Sequence, residues 1–135
     1  MNNCLKKATA IIEDNVTEIK RISQDLACQL NDFIIGNIDN ALIEYHLEAI
    51  KSLFIHACKS FKSAYCKSAS TFRKYNLPDE AKEKVFFIGY AYYRIERLYT
   101  DYSMLVYYYY REPDYREAII DELRDVFRQL ISLYL

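Results

Sequence analysis

The stretch that decides the fold is residues 42–75, LIEYHLEAIKSLFIHACKSFKSAYCKSASTFRKY. Its apolar residues recur at steps of three or four, with Ser68 taking one turn of the pattern. They are Ile43, Leu47, Ile50, Phe54, Ala57, Phe61, Ala64, Phe72 and Tyr75. Because an α-helix repeats every 3.6 residues, this spacing predicts one amphipathic helix of about nine turns with a single apolar face.

The opposite side of the same stretch is basic. Asp and Glu are absent between Ala49 and Pro78, where the cationic residues are Lys51, Lys59, Lys62, Lys67, Arg73 and Lys74. At about 100° per residue, Lys51, Lys59, Lys62 and Arg73 share one arc roughly opposite the apolar face. The helix is therefore predicted to have one dry face and one positively charged face, although the whole chain has a net charge of only −1.

Three further segments show the helical period, and they predict helices over about residues 3–35, 79–111 and 115–135 beside the central helix over about 41–76. In the first helix, Asn15 and Gln29 interrupt the apolar seam, and Leu30 lies one residue away from it. Gly36 suits the C′ position after a helix, and Pro78 ends the central helix.

Short loops make successive helices antiparallel. The sequence therefore predicts one all-α domain over residues 1–135, an elongated antiparallel (up-down) four-helix bundle with three long helices and a shorter fourth. The chain has only two glycines and two prolines. This composition disfavours an all-β fold and a Gly-rich phosphate loop.

The third predicted helix is apolar around most of its circumference, and a shorter fourth helix covers only part of its length. This leaves apolar surface near its start, over residues 85–93. Exposed apolar patches typically mark association. We therefore expect a homodimer, or a helical protein partner that completes the bundle, with Phe86, Tyr90 and Tyr93 at the interface.

Two roles are open for the basic face of the second helix. Its six cations would suit sequence-independent, salt-sensitive contact with a nucleic-acid backbone. Alternatively, they balance the acidic faces of the first and last helices. The fourteen tyrosines leave three alternatives open: a plain core and rim, a protein interface, or a stacking platform for single-stranded bases.

No residue pattern typical of catalysis or metal binding is present. His46 and His56 lie about 15 Å apart along one helix, too far to share a metal. The cysteines form no C-x-x-C pair and are Cys4, Cys28, Cys58 and Cys66. Free packed thiols are favoured, although a Cys4–Cys66 bridge is conceivable between antiparallel helices. We expect no cofactor, no metal and no enzymatic activity.

The segment from Leu30 to Lys59 resembles the second-helix region of HEPN-type helical domains. The small or polar residues that carry the resemblance are Gly36, Ala41, His46, Ala49 and Ala57. The final helix after Pro113 is similar in placement. Ribonuclease members of that family use an Arg separated by four to six residues from a His, and neither histidine here has such an Arg. The resemblance therefore implies a HEPN-like helical domain without the nuclease motif.

The N-terminal segment lacks the apolar core of a signal peptide, and no apolar run approaches the ~20 residues of a membrane span. We therefore expect an intracellular, cytoplasmic protein with no membrane partner. The sequence favours a non-enzymatic interaction or scaffold protein that acts as a homo-oligomer through an aromatic helix surface. The alternative is a weak, sequence-independent nucleic-acid-binding protein.

Overall fold

The computed structural model describes residues 3–134, and this part of the chain is all-helical, with no strand. Five α-helices pack against one another: α1 (Asn3–Gln29), α2 (Asn31–Ile34), α3 (Ile43–Lys74), α4 (Asp79–Arg111) and α5 (Arg116–Arg128). Short 3₁₀ segments cover Asn40–Leu42, Pro113–Tyr115 and Gln129–Leu133. The all-α prediction is thus confirmed, and α3 and α4 lie close to the spans predicted for them.

The first predicted helix is broken at Leu30, which the single span 3–35 did not anticipate. Leu30 and Phe33 are both buried, and the Phe33 ring meets the Phe127 ring edge-on at 5.2 Å. After α2, Gly36 has a φ of 77°. Its N–H donates to the Phe33 carbonyl and the Asn37 N–H donates to the Asp32 carbonyl, so the helix ends in a Schellman motif, as Gly36 suggested.

The polar interruptions of two helices meet each other. Ser68 is fully buried on the apolar face of α3. The Asn15 Nδ2 of α1 donates to the Ser68 hydroxyl at 2.8 Å. A buried hydroxyl without a partner is costly, and this pairing supplies that partner where α1 packs against α3.

An aromatic cluster occupies the centre of the core. Phe54 of α3 is fully buried, and its ring stacks on Tyr99 at 6.0 Å and on Tyr102 at 5.3 Å. Phe127 of α5 closes the cluster at 6.1 Å from Phe54. The Tyr102 hydroxyl donates to the Leu47 carbonyl. Three helices are therefore joined through one set of rings.

The final helix is shorter than predicted. Helix α5 ends at Arg128 and continues as a 3₁₀ segment to Leu133, whereas the sequence suggested one helix over 115–135; residue 135 lies outside the described residues. Arginines of α5 reach other helix ends: Arg124 Nε donates to the Phe33 carbonyl at 3.1 Å, and Arg116 Nε donates to the Tyr109 carbonyl at 2.9 Å. The Tyr109 carbonyl is one that the end of α4 leaves unpaired, whereas the Phe33 carbonyl also accepts from the Gly36 N–H.

Candidate interaction surfaces

The aromatic residues predicted at an interface are exposed on the outer face of α4. Phe86 is 68% exposed, Tyr93 60% and Tyr90 53%, whereas Ile88 and Ala91 between them are fully buried. The three rings therefore point away from the core. Large side chains exposed together in this way form the kind of apolar patch that association covers.

These rings belong to a longer exposed seam that the sequence reading missed. From Phe86, alternating steps of four and three residues lead along α4 to Arg111, and every residue reached is exposed. The seam consists of Phe86, Tyr90, Tyr93, Arg97, Thr100, Met104, Tyr107 and Arg111. This alternation is the spacing of the a and d positions of a coiled coil. The spacing can be read from the sequence, but α4 contains several series of apolar residues with similar spacing. Only their burial in the structure shows which series is exposed.

A groove lies beside the seam, between the end of α3 and the start of α4. Gly89 forms part of its floor: a Cβ there would lie 3.1 Å from Cε2 of Tyr65, so the missing side chain lets the Tyr65 ring lie against α4. The groove has a volume of about 540 Å³, and it is lined by Tyr65, Phe72, Lys82, Val85, Phe86, Gly89 and Tyr90. Apart from Lys82, the lining is largely apolar.

The basic face of α3 is open to solvent. All six predicted cations are exposed, namely Lys51, Lys59, Lys62, Lys67, Arg73 and Lys74. Within residues 3–134, none of the six forms an ion pair. Lys74 lies over the Tyr75 ring, with Nζ 5.6 Å from its centroid.

Acidic residues of α1 find their partners elsewhere. Arg21 pairs with Glu18 at 2.5 Å and with Asp25 at 3.0 Å on the same helix. Glu13 pairs with Lys84 of α4 at 2.7 Å. These pairs are substantially exposed, and such pairs stabilise a fold only weakly. The paired acidic residues of α1 thus have their partners on α1 itself and on α4, and none of these partners lies on α3.

Two half-buried charges flank the seam on the side facing away from α3. Arg94 donates to Gln129 Oε1 at 2.6 Å through one terminal nitrogen, and its Nε is buried with no hydrogen-bond partner among the described residues. Asp101, seven residues further along α4, is also half-buried. Neither side chain forms an ion pair within residues 3–134.

The histidines and cysteines do not converge on a site. Within residues 3–134, no three His, Cys, Asp or Glu side chains form a group that could hold a metal ion. Cys4, Cys28 and Cys66 are exposed free thiols, and Cys58 is buried and free. Burial, with a smaller contribution from Glu96, raises the pKa of the Cys58 thiol to about 12, which makes it a poor nucleophile near neutral pH.

Two tyrosines of α4 are held in the neutral form. Burial is the main reason that the pKa of Tyr102 lies well above its ordinary value, and the negative charge of Glu48 adds to the effect. The pKa of Tyr110 is raised as well, first by desolvation and then by Glu44 and Glu48. The Tyr102 hydroxyl therefore remains a hydrogen-bond donor to α3 over the ordinary pH range.

A polar cleft of about 440 Å³ lies where α5 approaches the start of α3. Arg116 and Arg124 line it, but both donate to backbone carbonyls, as described above. Arg124 also pairs with Asp121 at 2.8 Å. The arginines of this cleft therefore act as helix caps.

None of the helices within residues 3–134 combines the length and apolar character that crossing a bilayer requires. Comparison with protein-family models, curated proteins and solved structures finds no match for this chain. The resemblance of residues 30–59 to HEPN-type domains therefore remains a similarity of helix order and of a few small residues. The surfaces described above are accordingly the basis for any functional proposal.

Proposed function

We propose that this protein is a non-enzymatic helical interaction protein that self-associates through the outer face of α4. The observation that supports the proposal best is the exposed seam from Phe86 to Arg111, which has coiled-coil spacing. A helix of an isolated bundle normally turns polar residues outward. Here five of the eight seam residues are aromatic or Met, and all of them face solvent.

The proposal includes the up-down order of the long helices. Between α3 and α4, Tyr65 contacts Gly89 and Cys58 contacts Ile95. Residue numbers therefore fall along α3 as they rise along α4. Between α1 and α3, Asn15 contacts Ser68, and Asp25 and His56 line one groove. The residue numbers of these two helices therefore also run in opposite directions. Reversed numbering of this kind supports antiparallel neighbours.

Self-association is expected to depend on a few large rings near the middle of the surface. Aromatic residues dominate the binding energy of typical interfaces. Tyr93 lies between Tyr90 and Arg97 in the seam, and 60% of it is exposed. We expect a dimer with a dissociation constant that is roughly micromolar, because Arg97 and Thr100 interrupt the apolar seam.

Light scattering or analytical ultracentrifugation over a wide concentration range tests this function. The parent protein should shift from monomer to dimer, and Tyr93→Glu should raise the dissociation constant at least about thirtyfold, the equivalent of one lost hot-spot residue. Tyr115→Glu is the matched control, since Tyr115 is 63% exposed but lies outside α4. A parent protein that stays monomeric at high concentration would rule out the proposed function.

The basic face of α3 supports a second candidate, sequence-independent binding of a nucleic-acid backbone. The favouring observation is that its six cations are exposed and have no carboxylate partner within the described residues. A salt series with single- and double-stranded oligonucleotides tests it. Lys59→Glu with Lys62→Glu should abolish binding and flatten the salt dependence. The control variant Lys6→Glu with Lys7→Glu makes the same charge change on exposed residues of α1 and should retain most of the nucleic-acid binding.

A further inference from the structure

We propose that a second copy of this chain packs its own α4 antiparallel against the seam, with Phe86 of one copy opposite Arg111 of the other. This inference rests on the proposed self-association and specifies its geometry. The pairing is isologous, so that each contact occurs twice about a twofold axis. The axis passes near the midpoint of the seam, between Arg97 and Thr100.

In this register three of the four distinct layers of the seam join side chains of suitable chemistry. Tyr90 faces Tyr107 of the second copy, and Tyr93 faces Met104. Aromatic rings pair favourably with each other and with thioether sulfur. At the ends, the Arg111 guanidinium meets the ring of Phe86, an aromatic face that Lys82 of the same chain also approaches, with Nζ 5.9 Å from the centroid. Near the axis, Arg97 meets Thr100.

The charges flanking the seam fit the same register. In an antiparallel pair, e positions face e positions of the other helix, and Arg94 and Asp101 both occupy e positions. The register places Arg94 of one copy opposite Asp101 of the other. Both side chains are half-buried and neither has an ion-pair partner in its own chain within residues 3–134. Two complementary ion pairs across the axis would satisfy both.

Alternative pairings of the two helices bring like charges together. A parallel pair would place Arg97 against Arg97 and Arg111 against Arg111, with Glu96 beside Asp101 of the other copy. Moving the antiparallel register by one heptad in either direction places Arg94 against Arg94, or Asp101 against Asp101. Since like charges across an interface oppose association, the proposed register is the favoured arrangement among these.

The groove at Gly89 provides a space for a side chain of the second copy. Gly89 and Tyr110 both occupy g positions, which face each other in an antiparallel pair. Tyr110 is 45% exposed on its own chain, and the groove of about 540 Å³ lies at the level that its ring would reach. A large residue would thus enter the space left by a residue with no side chain, which is knob-into-hole packing.

Spin-label distances in the full-length protein test the orientation. Cys4, Cys28 and Cys66 are exposed and are replaced by Ser, while the buried Cys58 remains. Single labels are then placed at Lys82 or Ser103, two exposed g positions of α4. From the helical rise, antiparallel pairing gives about 50 Å between the two labels at position 82 and about 10 Å of axial separation at position 103. Parallel pairing gives similar short distances at both positions and would overturn the inference, although the proposed self-association would stand.

A charge exchange tests the register. Arg94→Asp and Asp101→Arg should each weaken the dimer by roughly threefold to tenfold, because each replaces two ion pairs with like charges. The double variant should restore the affinity of the parent. Residues 94 and 101 are two turns apart on one helix, so restoration cannot come from a pair within one chain. A double variant as weak as the single variants, with the fold intact by circular dichroism, would overturn the register.

Discussion

Replacing Tyr102 with Phe would remove one hydroxyl from the centre of the core while keeping the ring. Tyr102 is 2% exposed, and its hydroxyl donates to the Leu47 carbonyl of α3. The net contribution of such a bond is about 1 kcal/mol. Because the Leu47 carbonyl lies inside α3 and keeps its helical N–H partner, the larger penalty of a fully unpaired buried acceptor does not apply.

We therefore expect Tyr102→Phe to lower the free energy of unfolding by about 1 kcal/mol and the melting temperature by about 3–5 °C. Urea unfolding followed by far-ultraviolet circular dichroism measures this change. All variants are compared at one protein concentration and in the Tyr93→Glu background, because dimer formation would otherwise add to apparent stability.

Tyr99→Phe is the matched control. The Tyr99 ring belongs to the same stack, 6.3 Å from the ring of Tyr102. Its hydroxyl has no hydrogen bond within the described residues, so we expect a change below about 0.3 kcal/mol. If Tyr99→Phe destabilised the protein as much as Tyr102→Phe, the contribution assigned to the Leu47 bond would be wrong, and ring polarity would be the explanation.

Two further predictions concern stability. The Cys58 thiol has a pKa of about 12 in the folded state against an ordinary value of 9.0, so above pH ~9 only the unfolded state loses this proton, and stability falls as pH rises. Raising the pH from about 8 to about 10 should therefore cost the parent about 1.4 kcal/mol more than Cys58→Ala; equal losses in urea unfolding would contradict this. Gly36 has a φ of 77°, so Gly36→Ala should lower the unfolding free energy by about 1 kcal/mol or more, whereas Ala at the exposed neighbour Asn37 should change it little.

Helix limits were predictable where the chain contains a strong local signal. Helix α4 starts directly after Pro78 and ends just before Pro113, and the sequence places both limits correctly. The break at Leu30 has no such signal. Leu30 and Phe33 are three residues apart and share one helix face, so their burial does not require the break, and the Leu30 N–H still donates to the Leu26 carbonyl. The contact of the Phe33 ring with Phe127, almost a hundred residues away, is also absent from any local pattern.

The two candidate surfaces also differ in how well the sequence predicts them. Lys51, Lys59 and the other cations of α3 were predictable as exposed, because the apolar face of that helix is narrow and well defined. On α4, rings surround most of the helix, so periodicity identifies several possible faces. The burial of Ile88, Ala91 and Tyr102 in the core selects one of these faces and leaves the seam from Phe86 to Arg111 outside.

The proposed dimer connects the two candidate surfaces. Gly89 lies against Tyr65, so the g flank of the seam is the flank beside α3. In an antiparallel pair the twofold axis is perpendicular to the plane of the two helices, and both g flanks therefore face the same side. The basic faces of the two α3 helices would then lie on one side of the dimer, with twice the cations available to one strand.

Nucleic-acid binding, if it occurs through α3, should accordingly depend on the seam. The slope of log affinity against log salt is proportional to the number of phosphates neutralised. On a strand long enough to reach both α3 helices, Tyr93→Glu should lower that slope to about half, although Tyr93 carries no charge in the parent and lies outside α3; the added negative charge is controlled by Tyr115→Glu. If the two glutamate variants gave equal slopes at concentrations where the parent is dimeric, nucleic-acid binding through α3 would not depend on dimer formation through the seam.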